Sequence, residues 1–351
     1  EKVLMLGSGN VGLVVSFQLM QAGCEVVALV DAAPAIGGYG VHAAKLARCG
    51  VPFYLSHTII KAEGTDHVTG VVISQVNGKF QKIPGTEKHF DADTICVAVG
   101  LSPMSQLLKM SGCTMADDPK RGGQVPETDE YGETSVSGVY AAGDVSGIEE
   151  ASSAMIEGRI SGVRAAYQMG FVSEEDEIRE LTKLKNDLLS LRRGMFAPGN
   201  KGKKIEKTEE GIDVSQNLLT KGYLSEAEIF RYPGICRKKG LHPVIECSQN
   251  IPCNPCQDAC RFSCINVGKD ITSLPVVNPL AKCSGCGMCV ASCSGQAIFL
   301  VDEDYDETGA SVTLPYEFFP LPKVGDQGYA RNRAGEIVCK AEVISVKSSP
   351  A

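Results

Sequence analysis

The chain has no tryptophan, five histidines and only 6% aromatic residues. It also has no apolar run near the ~18 residues a membrane helix needs, so no membrane span is expected. No signal-peptide pattern is present either. Basic residues are in the minority, 34 Lys and Arg against 42 Asp and Glu, giving a net charge of −8. That excess argues against nucleic acid or an anionic membrane surface as the main partner. These absences leave a soluble, globular, cytoplasmic chain, and its 351 residues are enough for two or three domains. Fifteen cysteines stand out against this background, eight of them between Cys253 and Cys293. In a long chain without an export signal, such a cluster points to metal rather than disulfides.

The first residues read as a nucleotide-binding unit. A short apolar strand, Val3 to Leu6, runs into Gly7-x-Gly9-x-x-Gly12. A periodic helix from Val11 to Ala22 follows, closed by Gly23, and a second strand from Glu25 to Val30 ends on Asp31. Gly7 permits the tight turn, Gly9 lets backbone approach a pyrophosphate, and Gly12 lets helix and strand pack closely. Asn10 and Val11 open the helix whose N-terminus faces the phosphates. Asp31, 19 residues after Gly12, is placed to accept ribose hydroxyls, which favours NAD(H) over NADP(H). Residues 41–49 read as helix, Phe53 to Ser56 as strand, and Val68 to Phe90 as a β-ribbon with turns at Asn77-Gly78 and Pro84-Gly85. Asp93 to Val99 reads as a buried strand ending at Gly100. The alternative is a glycine-rich turn in some other α/β protein.

A second nucleotide is implied downstream. "GVYAAGD", Gly138 to Asp144, reads as a short strand to Ala142, with a helix from Glu149 to Met169 after it. With "AVGLSP", Ala98 to Pro103, it resembles the two-dinucleotide-domain flavoproteins of the pyridine-nucleotide–disulfide oxidoreductase type. The resemblance implies that Gly143, Asp144 and Ile148 belong to the return segment of an FAD site. It also implies that the next helix points its N-terminus at the flavin. Without it, Asp144 is a helix cap. The family carries an N-terminal FAD half with its own glycine fingerprint, and none is found here. The chain opens on Glu1, so two explanations stay open: a longer protein, or another chain that completes the site. Cys24, Cys49, Cys96 and Cys113 are isolated and read as core thiols, so dithiol chemistry is not expected.

Ser173 to Arg193 reads as a charged helix with Ser173 as N-cap, followed by a polar linker. Then come the cysteines. Cys283-x2-Cys286-x2-Cys289-x3-Cys293 is the bacterial ferredoxin run, with Ser294 where Pro usually follows. Two-cluster ferredoxins are internal repeats. Sliding one half on the other matches Cys286, Cys289 and Cys293 to Cys253, Cys256 and Cys260. It also matches Ala297-Ile298 to Cys264-Ile265. Cys264 then falls at a packing position, and Cys247 is the counterpart of Cys283. One [4Fe–4S] cluster is assigned to Cys247, Cys253, Cys256 and Cys293, the other to Cys260, Cys283, Cys286 and Cys289. The competing set takes Cys253, Cys256, Cys260 and Cys264, and the competing metal is zinc. The tail alternates around Ala334-Gly335 as a small β unit with Cys339 packed inside it.

The expected fold class is α/β. Residues 1–110 form a Rossmann-like NAD-binding domain and 111–172 a partial FAD-binding domain. Residues 173–235 connect to a ferredoxin-like two-cluster α+β domain over 236–305, and 306–351 form a β tail. The whole resembles the alpha subunits of dye-linked proline dehydrogenase, opine dehydrogenase and sarcosine oxidase. The resemblance implies an electron-transfer subunit passing electrons between NAD(H), FAD and two clusters. The partners implied are a second flavoprotein subunit carrying the substrate site and a segment supplying the FAD half. No catalytic acid–base set is evident. Alternatives are a self-contained NADH:ferredoxin or bifurcating oxidoreductase, with ferredoxin as partner, and a non-catalytic subunit holding a structural adenine nucleotide.

Overall fold

A computed structural model describes residues 1–198, 205–307 and 309–348. β1 (Lys2–Leu6), α1 (Asn10–Gln21), β2 (Glu25–Asp31), α2 (Gly40–Arg48) and β3 (Phe53–Leu55) alternate as the glycine fingerprint demands. β4 (His57–Glu63), β5 (Gly70–Gln75) and β6 (Lys88–Phe90) form an antiparallel ribbon, and β7 (Thr94–Val97) then returns to the first sheet. That sheet is parallel, in the order β3-β2-β1-β7.

Successive strand residues point to opposite faces, and the two faces pack on different layers. Met5 and Leu29 join Leu13, Phe17 and Leu46 of the helices. Leu4, Ala28 and Val30 join Val71 and Ile73 of the ribbon. The ribbon starts earlier than the sequence suggested, because β4 pairs with β5 from His57 onward. β7 is shorter than expected and is not buried. It lies at the sheet edge, and Val97 is 63% exposed.

α3 (Gln106–Met110) and the hairpin of β8 (Met115–Asp118) with β9 (Gly123–Pro126) come next. The expected strand from Gly138 to Ala142 does not form. It finds only an isolated bridge, Glu133 to Tyr140. A strand needs a neighbour for its backbone groups, and among the described residues this segment has no full one. A 3₁₀ turn over Gly143–Ser146 leads to α4 (Ala151–Gln168), which packs on α5 (Glu174–Leu191). Ser173 caps α5 as expected, its hydroxyl accepting from the Asp176 N–H at 3.2 Å.

Leu181, Leu184 and Leu188 repeat at helical spacing and meet Ile160. Leu184 is fully buried there. Leu184→Ala is expected to cost about 2–5 kcal/mol, seen as a lower urea midpoint for the chain.

Part of the linker, 199–204, lies outside the described residues. The rest is a docked loop. Glu209 N–H donates to Asn250 Oδ1 at 2.9 Å, and Glu210 accepts from the Leu274 N–H at 2.7 Å. α6 (Gln216–Lys221) and α7 (Glu226–Ile229) follow, the latter with a Ser225/Glu228 capping box.

The cysteine unit contains β10 (His242–Ile245), α8 (Pro255–Ala259), β11 (Ile265–Asn266), β12 (Val276–Val277), α9 (Met288–Ser292), β13 (Ile298–Asp302) and β14 (Ser311–Thr313). β10 pairs with β13, and β11 pairs with β12. The tail is a hairpin of β15 (Gln327–Arg331) and β16 (Ile337–Glu342), turning at Gly335. Cys339 is exposed rather than packed, because among the described residues no layer covers the β16 strand of this two-stranded unit. Among the described residues no helix is long and apolar enough to cross a membrane.

Candidate functional site

The glycine loop is built by steric necessity. Gly7 has φ +113°, and a Cβ there would lie 2.2 Å from the Ala98 carbonyl oxygen. A Cβ on Gly12 would lie 2.0 Å from the Gly7 carbonyl oxygen. Gly9 has no heavy atom within 4 Å of its Cβ position, so a phosphate can approach the backbone there. Val11 is exposed beside it. These residues fit a dinucleotide.

Asp31 does more than the sequence indicated. Its Oδ2 accepts from the Ser8 N–H at 2.7 Å and the Ser8 hydroxyl at 2.5 Å, and its Oδ1 accepts from the Ala33 N–H at 2.8 Å. A carboxylate has about four acceptor positions, so about one is left for a ribose hydroxyl. Asp31 is therefore first the anchor of the glycine loop. Ser8, a variable position of the fingerprint, went unread, although a hydroxyl opposite a strand-end acid was the available signal.

The segment after β2 folds back over this loop. Gly37 N–H donates to Ser8 Oγ at 3.1 Å, Gly38 N–H to the Ser8 carbonyl at 2.8 Å, and Tyr39 N–H to Asn10 Oδ1 at 2.7 Å. The Asn10 side chain is thus committed to this segment. Tyr39 then reaches away from the loop, and its hydroxyl donates to Glu150 Oε1 at 2.5 Å, at the start of α4. Burial and then Glu150 push the Tyr39 phenol well above its usual range, and burial raises Glu150. His42 on α2 is pushed down to about 4 by burial and then Lys45.

The residues that the resemblance assigns to the return side of a flavin sit around the same helix end. Gly143 has φ +77°, and its N–H donates to Glu157 Oε2 at 2.8 Å. Asp144 is exposed and accepts from the Glu149 N–H at 3.4 Å. Ile148 N–H donates to the Arg121 carbonyl at 3.1 Å. Arg192, the C-cap of α5, ties Glu149 at 2.7 Å and also pairs with Glu157. Gly100 is exposed at φ +139° with open space around it.

The cysteines form two mutually interacting sets. Burial, and then the charges of Cys293, Cys253 and Cys256, push the Cys247 thiol far up. Cys256 is pushed up to about 11 by burial, Cys293 and Cys253. Cys289 is pushed up to about 12 by burial, Cys260, Cys283 and Cys286. Cys264, at about 11, is raised by burial and by Cys260, on the side of the second set. Such thiols are those a bound metal would hold as thiolates. Among the described residues no group of three or more His, Cys, Asp or Glu is gathered closely enough for one metal ion. A four-iron cube spreads its ligands wider than a single tetrahedral ion does.

The repeat is also visible in the backbone. Ser263 and Gln296, 33 residues apart, both have φ +50°. Cys264 N–H donates to Cys260 Sγ at 3.3 Å, and Ala297 N–H donates to Cys293 Sγ at 3.4 Å. α8 and α9 start and end at equivalent positions. Gly285 N–H donates to Cys283 Sγ at 3.5 Å. Sulfurs that accept backbone N–H groups suit cluster binding.

The two regions meet. Tyr39 and Val41 share an apolar group with Ala297, Cys247 and Cys293. Gly40 N–H donates to Gln249 Oε1 at 2.7 Å. The Tyr39–Glu150 bond thus lies between the nucleotide loop, the α4 terminus and the first cysteine set.

Comparison with known proteins adds relatives. An opine oxidase subunit of Rhizobium meliloti is 32% identical over 114 residues, 32% of this chain and 20% of the relative. Hydrogen cyanide synthase subunit HcnB of Pseudomonas protegens is 26% identical over 137 residues, 38% of this chain and 29% of the relative. The thioredoxin reductase structure from T. acidophilum superposes at TM-score 0.41 and 25% identity, covering 49% of this chain and 53% of that one. The chain thus spans less than a third of the length of these two curated relatives. Residues 1–170 match the pyridine nucleotide–disulphide oxidoreductase family.

Proposed function

We propose that this chain is the electron-transfer subunit of a multi-subunit oxidoreductase, with a nucleotide site, half of an FAD site and two [4Fe–4S] clusters. Nicotinamide carries hydride, iron–sulfur clusters carry single electrons, and a flavin converts between the two. The observation that carries the reading is the meeting of three features at Tyr39 and Glu150: glycine loop, α4 terminus and the Cys247 set. Gly7, Gly9 and Gly12 would cradle the pyrophosphate and Asp31 would hold the loop and one ribose hydroxyl. Gly143, Asp144 and Ile148 would line the return side of FAD. Cys247, Cys253, Cys256 and Cys293 would hold one cluster, and Cys260, Cys283, Cys286 and Cys289 the other.

A separate segment would complete the FAD site. Val97, Val99, Leu101, Met104, Leu107 and Met110 form an exposed apolar run beside β7, the edge strand of its sheet among the described residues, a surface of the kind that another polypeptide covers. The names of the two relatives, which mark them as parts of opine oxidase and of hydrogen cyanide synthase, support a partner that carries the substrate site. The test is to purify the chain anaerobically with its partners and identify cofactors and chains by mass spectrometry. A brown preparation carrying flavin, with NADH-dependent dye reduction, is expected. A colourless, zinc-loaded preparation would sink the cluster assignment. Bound nucleotide without dye reduction would favour the non-catalytic alternative.

A further inference from the structure

The two halves of the cysteine repeat are alike in backbone but not in what touches them. α2 lays its basic residues on the loop after Cys293. Lys45 Nζ donates to the Ser294 carbonyl at 2.9 Å, and Arg48 Nη2 donates to the Gln296 carbonyl at 3.0 Å. Lys45 lies in the field of Glu317 and then of Cys293, and Arg48 in that of Glu246 well before that of Cys293. Among the described residues, the equivalent loop after Cys260, residues 261–263, receives no such bond from a lysine or arginine.

Arg48 is partly spoken for. Glu246, which also pairs with Arg333 at 2.7 Å, lies 3.9 Å from it. Among the described residues Lys45 has no ion pair within 4.0 Å. It is almost fully buried, its ammonium 4.7 Å from the Phe17 ring centre. A buried cation in weakly screening surroundings acts strongly on a nearby anionic group. The reduction potential of a cluster follows local charge and the hydrogen bonding around its sulfurs.

We infer that Lys45 is a positioning residue for the iron–sulfur centre of Cys247, Cys253, Cys256 and Cys293, and that its charge raises that centre's reduction potential. The inference rests on the cluster assignment proposed above. It makes the set facing the nucleotide unit the one tuned from that unit, and leaves the Cys260, Cys283, Cys286 and Cys289 set untouched by α2.

The test uses the full chain, purified anaerobically and titrated with dithionite under electron paramagnetic resonance. Lys45→Gln keeps a donor toward Ser294 but removes the charge. Lys45→Met is a second charge-removing variant that keeps the aliphatic stem, and Lys45→Arg keeps the charge. Gln and Met are expected to move one midpoint potential to more negative values and leave the other in place. Arg is expected to stay near the unsubstituted chain. The shift should persist in a Cys286→Ala background and vanish in a Cys247→Ala background. A shift that survives Cys247→Ala, affects both centres equally or is absent would overturn the inference. An unsubstituted chain with no cluster signal would overturn the assignment beneath it, and is recognised before any variant is made.

Discussion

Cys247→Ala is expected to lower iron and acid-labile sulfide from about eight to about four per chain, while Cys264→Ala keeps both near about eight. The contrast is sharp because a scan for closely spaced cysteines favours the opposite. Cys264 sits in the tight run and Cys247 stands apart from it. The repeat decides between them. Cys264 occupies the position of Ala297, with the same N–H to Sγ bond to the residue four before it and the same left-handed residue before that bond. Its own thiol turns to the Phe262 carbonyl at 3.8 Å. Cys247 follows β10 and Cys283 follows β12. Ile245 and Val277 are equivalent in the two strand pairs, facing Ile298 and Ile265. Each half thus brings its first cysteine out of a strand and its next two into a loop and short helix. Metal analysis and visible absorbance of the two variants measure the outcome. Loss of a cluster in Cys264→Ala with retention in Cys247→Ala would restore the set Cys253, Cys256, Cys260 and Cys264.

Gly12→Ala is expected to abolish nucleotide binding and to cost about 3 kcal/mol or more, because a Cβ 2.0 Å from the Gly7 carbonyl cannot be met by a side-chain shift. Either α1 leaves β1 or the loop loses its turn. Gly9→Ala separates binding from folding. Its backbone is extended, at φ −68° and ψ 172°, and its Cβ position is open. The free chain should therefore keep its stability. A methyl group would stand where a phosphate approaches, so NADH affinity should fall by at least about tenfold, or about 1.4 kcal/mol. Calorimetric titration with NADH and urea denaturation of both variants measure the two effects. Gly9→Ala binding NADH like the unsubstituted chain would show that no phosphate is seated there.

What could be read from the sequence was local. The glycine spacing, the alternation around β1 and β2, the Ser173 cap and the cysteine repeat each rest on residues a few positions apart or on a strict period. What could not be read was long in sequence or dependent on a neighbour. Asp31 was read for a ligand, whereas Ser8 claims it across 23 positions. Tyr39 carried no signal, because its partner Glu150 lies 111 residues on. The strand at Gly138–Ala142 was read from composition, but a strand exists only where a ladder accepts it. Cys339 was read as packed because its strand alternates, and alternation does not reveal that the hairpin stands uncovered.

The contacts of α2 also bear on how the chain matures. Three bonds from Gly40, Lys45 and Arg48 close loops of 209, 249 and 248 residues. Contacts so far apart in sequence raise the contact order and are of the kind that form late in folding. A newly made chain would therefore hold its cysteine half open and reachable while the nucleotide half is already folded. Closure of α2 would come afterwards, and Tyr39, Val41 and Phe196 would then wall in Cys247 and Cys293. On this order, the apolar group around Cys247 and Cys293 closes only when the two halves dock.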